Sequence, residues 1–162
     1  MKKGKISVLF ICLGNICRSP AANAVLQKMV DDAGLTDRFL IDSAAVGPWH
    51  IGDLPDKRMR QAGAQRGWDI SHIARQFDAS SDFDRFDYIV VMDEENYKNI
   101  TRQAHHEKER NQVIRMADYF EHHPTYSTVP DPYYGGMADF ELALDLIEDG
   151  CQGLMKQLFT GK

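Results

Sequence analysis

Hydrophobic residues recur along this chain with two alternating periods. Ile6 to Ile11 is apolar throughout except at Ser7, the pattern of a strand buried on both faces. Phe39 to Ser43, Tyr88 to Met92 and Val113 to Met116 are the other strand-like runs. Between them the spacing changes to that of helices. From Pro20, residues Ala22, Val25, Leu26, Met29 and Ala33 share one helical face, and Gly34 supplies a stop. Pro55 to Gln65 predicts a second helix ended by Gly67, and Glu94 to His106 a polar third with Tyr97 and Ile100 facing inward. Met137 to Phe159 predicts the longest, with Phe140, Leu144, Ile147, Leu154 and Leu158 near one face. Strand and helix in alternation predict an α/β fold: an open parallel sheet of about four strands, flanked by helices. Two irregular stretches remain, Ala45 to Leu54 and Glu121 to Gly136, and the second is long enough to suggest a functional loop.

Composition narrows this only slightly. With 162 residues, 43% hydrophobic and 27% charged, the chain is expected to form a single domain over residues 1–162. A net charge of −5 argues against nucleic acid or an anionic membrane surface as partner, so any anion must be bound by a local device. Three cysteines form no disulfide framework, and a reducing cytoplasm is the expected location. Lys2, Lys3 and Lys5 ahead of an apolar run resemble a signal peptide, but Asn15, Cys17 and Arg18 interrupt the pattern, so export is not expected. No membrane insertion is expected either.

The chemistry concentrates where the first strand ends. In a parallel sheet, ligands bind beyond the carboxyl ends of the strands, and Cys12 directly follows such an end. Ser19 suits a helix N-cap and Pro20 the first helical position, so Cys12 to Arg18 is a tight strand-to-helix loop. Its N–H groups, with the helix N-terminus behind them, can surround a phosphate-sized anion. Gly14 is expected to take a backbone conformation closed to other residues, and Asn15 tolerates the left-handed region. A cysteine at the base of such a cradle is favoured as thiolate, and Arg18 adds a planar fork for two oxygens of a tetrahedral dianion.

The segment Cys12-Leu-Gly-Asn-Ile-Cys-Arg-Ser-Pro20 resembles the signature loop of the low-molecular-weight protein tyrosine phosphatases. The likeness continues through Asp42-Ser43-Ala44, Phe86-Asp87-Tyr88-Ile89, Met92-Asp93-Glu94 and Asp131-Pro132-Tyr133-Tyr134-Gly135. It implies the strand order 2-1-3-4, helices on both faces and a phosphate-binding loop between first strand and first helix. It also implies hydrolysis of phosphotyrosine and aryl phosphates through a phosphocysteine on Cys12, with Arg18 binding phosphate and Asp131 as general acid and then base. Such chemistry needs an acid because a phenolate leaves poorly unless its oxygen is protonated.

The remaining site residues follow from the loop or from the resemblance. Leu13, Gly14, Asn15, Ile16, Cys17 and Ser19 belong to the substrate-binding loop, the Ser19 hydroxyl being directed at Cys12. Leu13, Ile16, Trp49, Tyr133 and Tyr134 are the candidate walls of a slot for the phenyl ring. The resemblance implies that Asn15, Ser43 and His72 form a network supporting the loop, and that Cys17 traps oxidised Cys12 as a disulfide. His50 is assigned no role. Expected partners are phosphotyrosine-containing proteins and inhibitory oxyanions such as phosphate or vanadate, bound by a monomer or weak dimer.

His106-Glu107-Lys108-Glu109-Arg110 lacks the second histidine of a zinc protease, and the other histidines have no metal spacing, so no metal or organic cofactor is expected. Three rival readings are weaker. A thiol-dependent arsenate reductase needs relay cysteines, and none lies between Cys17 and Cys151. A phosphocysteine carrier needs neither Arg18 nor an acid, and a regulatory phosphotyrosine binder needs no catalytic set.

Overall fold

The computed structural model describes residues 4–159. Its centre is a four-stranded, all-parallel sheet formed by β1 (Ile6–Cys12), β2 (Phe39–Ala45), β3 (Tyr88–Val91) and β4 (Val113–Arg115), in the order β2-β1-β3-β4. This is the expected architecture and strand order. Strand β1 is central because it can be buried on both faces. Val8, Phe10 and Cys12 face one apolar cluster, while Leu9 and Ile11 face another, as the two-residue period of a strand dictates. The first cluster is covered by α1 (Arg18–Asp32), α2 (Lys57–Gln65) and α6 (Met137–Leu154). The second is covered by α3 (Asp82–Arg85) and α4 (Glu94–Arg102), through Phe83 and Ile100. Helices therefore lie on both faces.

Strand ends differ from the predicted ones by one or two residues, and three of the helices differ as well. Glu94 to His106 is not one helix: α4 ends at Arg102, and a separate α5 (Glu107–Gln112) follows a turn. The carboxylate of Glu109 folds back to accept the His105 amide at 2.7 Å, starting a new helix rather than extending the old one. The predicted second helix starts at Lys57, two positions after Pro55, because the Asp56 side chain caps it by accepting the Arg58 amide at 2.8 Å. The last predicted helix is regular only to Leu154, and Met155–Phe159 winds more widely. Short α3 has no clear apolar period and was not anticipated.

Among the described residues, no helix is long and apolar enough to cross a membrane. The carboxyl ends of β1 and β2 meet at Cys12 and Ala45, paired in register. There the chain leaves the sheet as the loops that build the site.

Candidate active site

The loop from Cys12 to Arg18 connects β1 to α1, and it is mostly buried, with Leu13 exposed. Cys12 is 2% exposed, and its Sγ receives the Ser19 amide at 3.3 Å and lies 3.0 Å from the Ser19 hydroxyl. That hydroxyl already accepts a hydrogen bond from Asn15 Nδ2 at 2.7 Å, which leaves its own proton free for a thiolate. Helix α1 begins two residues before the predicted first position, Pro20, at Arg18, with no side-chain cap. Ser19 is thus not the N-cap: inside the first turn its hydroxyl turns back to the sulfur.

Asn15 has the expected positive φ, 57°, the only non-glycine with one among the described residues. Its amide group holds that conformation from both ends. Nδ2 also donates to Ser43 Oγ at 3.0 Å, and Oδ1 accepts the Arg75 amide at 3.1 Å. Ser43 thus meets Asn15 directly, whereas His72 makes no hydrogen bond to either residue. Its Nδ1 lies 3.6 Å from Asp42, beyond hydrogen-bond range, and its buried Nε2 has no partner among the described residues.

Gly14 also differs from expectation. Its φ is not positive; a Cβ there would sit 3.0 Å from the His50 ring, a tight contact that the part-exposed imidazole would have to relieve by shifting. His50, to which the sequence assigned nothing, packs against the loop and lines the pocket, 6.2 Å from the Tyr133 ring centroid.

Arg18 is 2% exposed, so its charge must be compensated locally. Nη1 donates to Asp93 Oδ2 at 2.7 Å and to the Val129 carbonyl at 2.8 Å, while Nη2 lies 3.6 Å from Asp131 Oδ2. Burial disfavours the cation, but Cys12, Asp93 and Asp131 around it overcome that and hold its pKa above the ordinary value. Nε is buried with no hydrogen-bond partner among the described residues. Asp93 was missed by sequence reasoning, although its position three residues before Asn96, whose amide it accepts at 2.8 Å, is that of an N-cap.

A cavity of about 310 Å³ opens over this loop and gathers Cys12, Leu13, Gly14, Ile16, Cys17, Arg18, Trp49, His50, Asp131, Tyr133 and Tyr134. Trp49 and Tyr134 are 67% and 93% exposed and form its rim. Asn15 and Ser19, expected among the binding residues, are fully buried behind the loop and do not line the cavity. Cys17 does line it, but burial first, and then neighbouring Cys12, Asp56 and Asp131, push its thiol far up despite Arg18. A larger groove, about 980 Å³, at the opposite end of the sheet contains neither cysteine, serine nor threonine. It offers no nucleophile of that kind.

Residues 7–161 match the family model of the low molecular weight phosphotyrosine protein phosphatases. A low molecular weight phosphotyrosine protein phosphatase of Schizosaccharomyces pombe is 42% identical, over 94% of this chain and 97% of its own. The mouse protein of the same name is 37% identical over 96% and 98%. The crystal structure of a protein tyrosine phosphatase from Entamoeba histolytica with Hepes in the active site superposes with a TM-score of 0.91, at 39% identity over 97% of this chain and 99% of that one. This chain belongs to the low-molecular-weight phosphotyrosine protein phosphatase family, and it is a protein tyrosine phosphatase.

Proposed function

We propose that Cys12, Arg18 and Asp131 divide the phosphatase reaction among them. The Cys12 thiolate attacks phosphorus as the bond to the phenolic oxygen breaks, and Asp131 gives that oxygen its proton. Asp131, now ionised, takes a proton from water; the oxygen of that water displaces Cys12 from phosphorus, releasing phosphate and the thiolate. Arg18 neutralises the equatorial oxygens throughout, and little covalent work remains beyond positioning and charge.

One observation carries this reading. A buried guanidinium lines the same cavity as the sulfur and lies 3.6 Å from the carboxylate of Asp131, with one donor, Nε, lacking an acceptor among the described residues. A buried donor is costly to leave unmade, and an oxygen of a tetrahedral oxyanion satisfies it. Phosphate and vanadate should therefore inhibit by occupying the same place. Leu13, Trp49, Tyr133 and Tyr134 wall the phenyl ring, and Ile16, 7% exposed, contributes to the floor.

The reading extends to a single catalytic domain working in a reducing cytoplasm as monomer or weak dimer, without metal or organic cofactor. Cys17 stays a neutral thiol and does not compete for phosphate. When peroxide converts Cys12 to the sulfenic acid, Cys17 condenses with it, forming a disulfide and releasing water, and a dithiol reductant reverses the bond. The experiment for the whole scheme is acid-quenched mass spectrometry during aryl phosphate turnover. Phosphate attached to Cys12 is expected in the wild type and absent in Cys12→Ser; a phosphoenzyme on any other residue overturns it.

A further inference from the structure

Asp131 is carried by a loop that is largely exposed, yet its carboxylate must meet a sulfur held on a buried one. One line of contacts joins the two. The Asp56 amide donates to the Ile16 carbonyl of the nucleophile loop at 2.7 Å. The Asp56 carboxylate holds Arg58 with both oxygens, Oδ1 accepting Nε at 3.1 Å and Oδ2 accepting Nη2 at 2.9 Å. The rest of the guanidinium reaches the acid loop: Nη2 donates to the Tyr133 carbonyl at 2.9 Å and Nη1 to the Gly135 carbonyl at 3.2 Å. The guanidinium carbon lies 4.6 Å from the centroid of the Phe140 ring on α6, which fixes the fork against a rigid surface. Tyr133, held at its carbonyl by Arg58, donates its amide to Asp131 Oδ1 at 3.1 Å.

We propose that Arg58 is a positioning residue for the phosphatase reaction: it sets the acid loop against the nucleophile loop so that Asp131 reaches the leaving oxygen. The proposal rests on the reading of Asp131 as general acid. The Arg58 side chain is 38% exposed, so its pair with Asp56 adds little to stability. Its effect is geometric instead. A planar fork serves a carboxylate on one side and two carbonyls on the other, which a lysine ammonium cannot do with fixed direction. Displacing a reacting group by about 1 Å costs on the order of 10²-fold in rate.

The test compares kcat/KM for phenyl phosphate, which needs a proton on its leaving oxygen, and for 2,4-dinitrophenyl phosphate, whose phenolate departs without one. Arg58→Ala should lose about 10²-fold on the first and little on the second, with vanadate affinity unchanged. Arg58→Lys, the milder variant, should show the same leaving-group trend with a smaller loss. In an Asp131→Asn background the Arg58→Ala loss on phenyl phosphate should vanish. Equal losses on both substrates overturn the proposal, read on Arg58→Lys if the alanine variant does not fold; so does a loss that persists beside Asp131→Asn. Asp131→Asn alone separates the two readings. If it is insensitive to the leaving group, the acid assignment falls and the clamp with it. If it is sensitive and the Arg58 variants are not, only the clamp falls.

Discussion

The nucleophile loop and the acid loop face each other across one cavity but are held by different means. From Cys12 to Ser19 the chain is mostly buried, and much of its shape is fixed by its own neighbours: Asn15 on Ser19, Ser19 on Cys12. The stretch from Glu121 to Gly136 is mostly exposed and is pinned at separate points by residues far away in sequence. Asp149 accepts its first amides, the Val129 amide donates to the Met92 carbonyl at 2.9 Å, and Arg58 holds its end. On the proposed reading, binding of the phosphate rests largely on a preorganised local motif, with Arg18 braced by Asp93 and the Val129 carbonyl, whereas delivery of the proton depends on tertiary anchors. Variants of the first should lose oxyanion binding and chemistry together; variants of the second should lose leaving-group protonation while oxyanion affinity survives.

The largest effects belong to the nucleophile loop. Cys12→Ser and Arg18→Ala should each abolish phosphate release from a phosphotyrosine peptide. They should part in calorimetry: the arginine variant loses vanadate affinity through the missing fork, whereas Cys12→Ser still binds phosphate. Retained turnover in either would remove the basis of the comparison. Next comes Asp131→Asn, which should cost roughly 10²–10⁴-fold on phosphotyrosine, the usual worth of acid–base catalysis, with the phosphate inhibition constant little changed. A parallel loss of phosphate affinity would show that the two loops are not separable.

Asp93 lies between the two regimes. It belongs to neither loop, yet it caps α4 and orients Arg18. Asp93→Asn preserves an acceptor for the cap and removes the charge facing Nη1. A drop of about 10–10²-fold in kcat/KM is expected, the scale of one hydrogen bond to a charged group. It should fall equally on good and poor leaving groups, because Arg18 serves the phosphate and not the departing oxygen.

The same contrast explains what the sequence made legible. Cys12, Asn15 and Arg18 could be placed because strand, loop and helix follow one another without interruption, so spacing alone implies geometry. The sheet was legible for a similar reason, as Ile6–Cys12 can only be a strand covered on both sides. Arg58, Asp93 and Arg75 could not be assigned to the site, because their contacts with it span 60 to 77 positions or come from backbone atoms, and a sequence shows neither. The resemblance alone implies His72 as a network member, whereas the hydrogen bonds of the Asn15 side chain among the described residues go to Ser19, Ser43 and the Arg75 amide. The break between α4 and α5 had a signal, Glu109 three positions into a new helix after His106, hidden inside a continuous polar run.

The smallest effect tests the far anchor of the acid loop. Asp149, on α6 and 3% exposed, accepts the Glu121 and His122 amides at 2.9 Å each and contacts His123 Nδ1 at 2.8 Å. Burial alone would raise the pKa of this carboxyl, but those donors outweigh it and hold it below the ordinary aspartate value. A carboxyl depressed in the folded state stabilises fully above its unfolded pKa, about 3.9, and ceases to do so as the pH falls through the lower folded value. Asp149→Asn leaves one amide without its acceptor and should cost about 1–3 kcal/mol near neutral pH, read as a lower Tm. The Tm gap to wild type should begin to narrow once the pH is brought below about 4, where the unfolded carboxyl takes up its proton, and should close only as the pH passes the lower folded value, where the native carboxyl becomes neutral too. Because Val129 and Arg58 still pin the loop nearer to Asp131, kcat should barely move; a large fall in kcat on phenyl phosphate alone would mean that the proton is positioned from the whole length of the loop, and not from its last few residues.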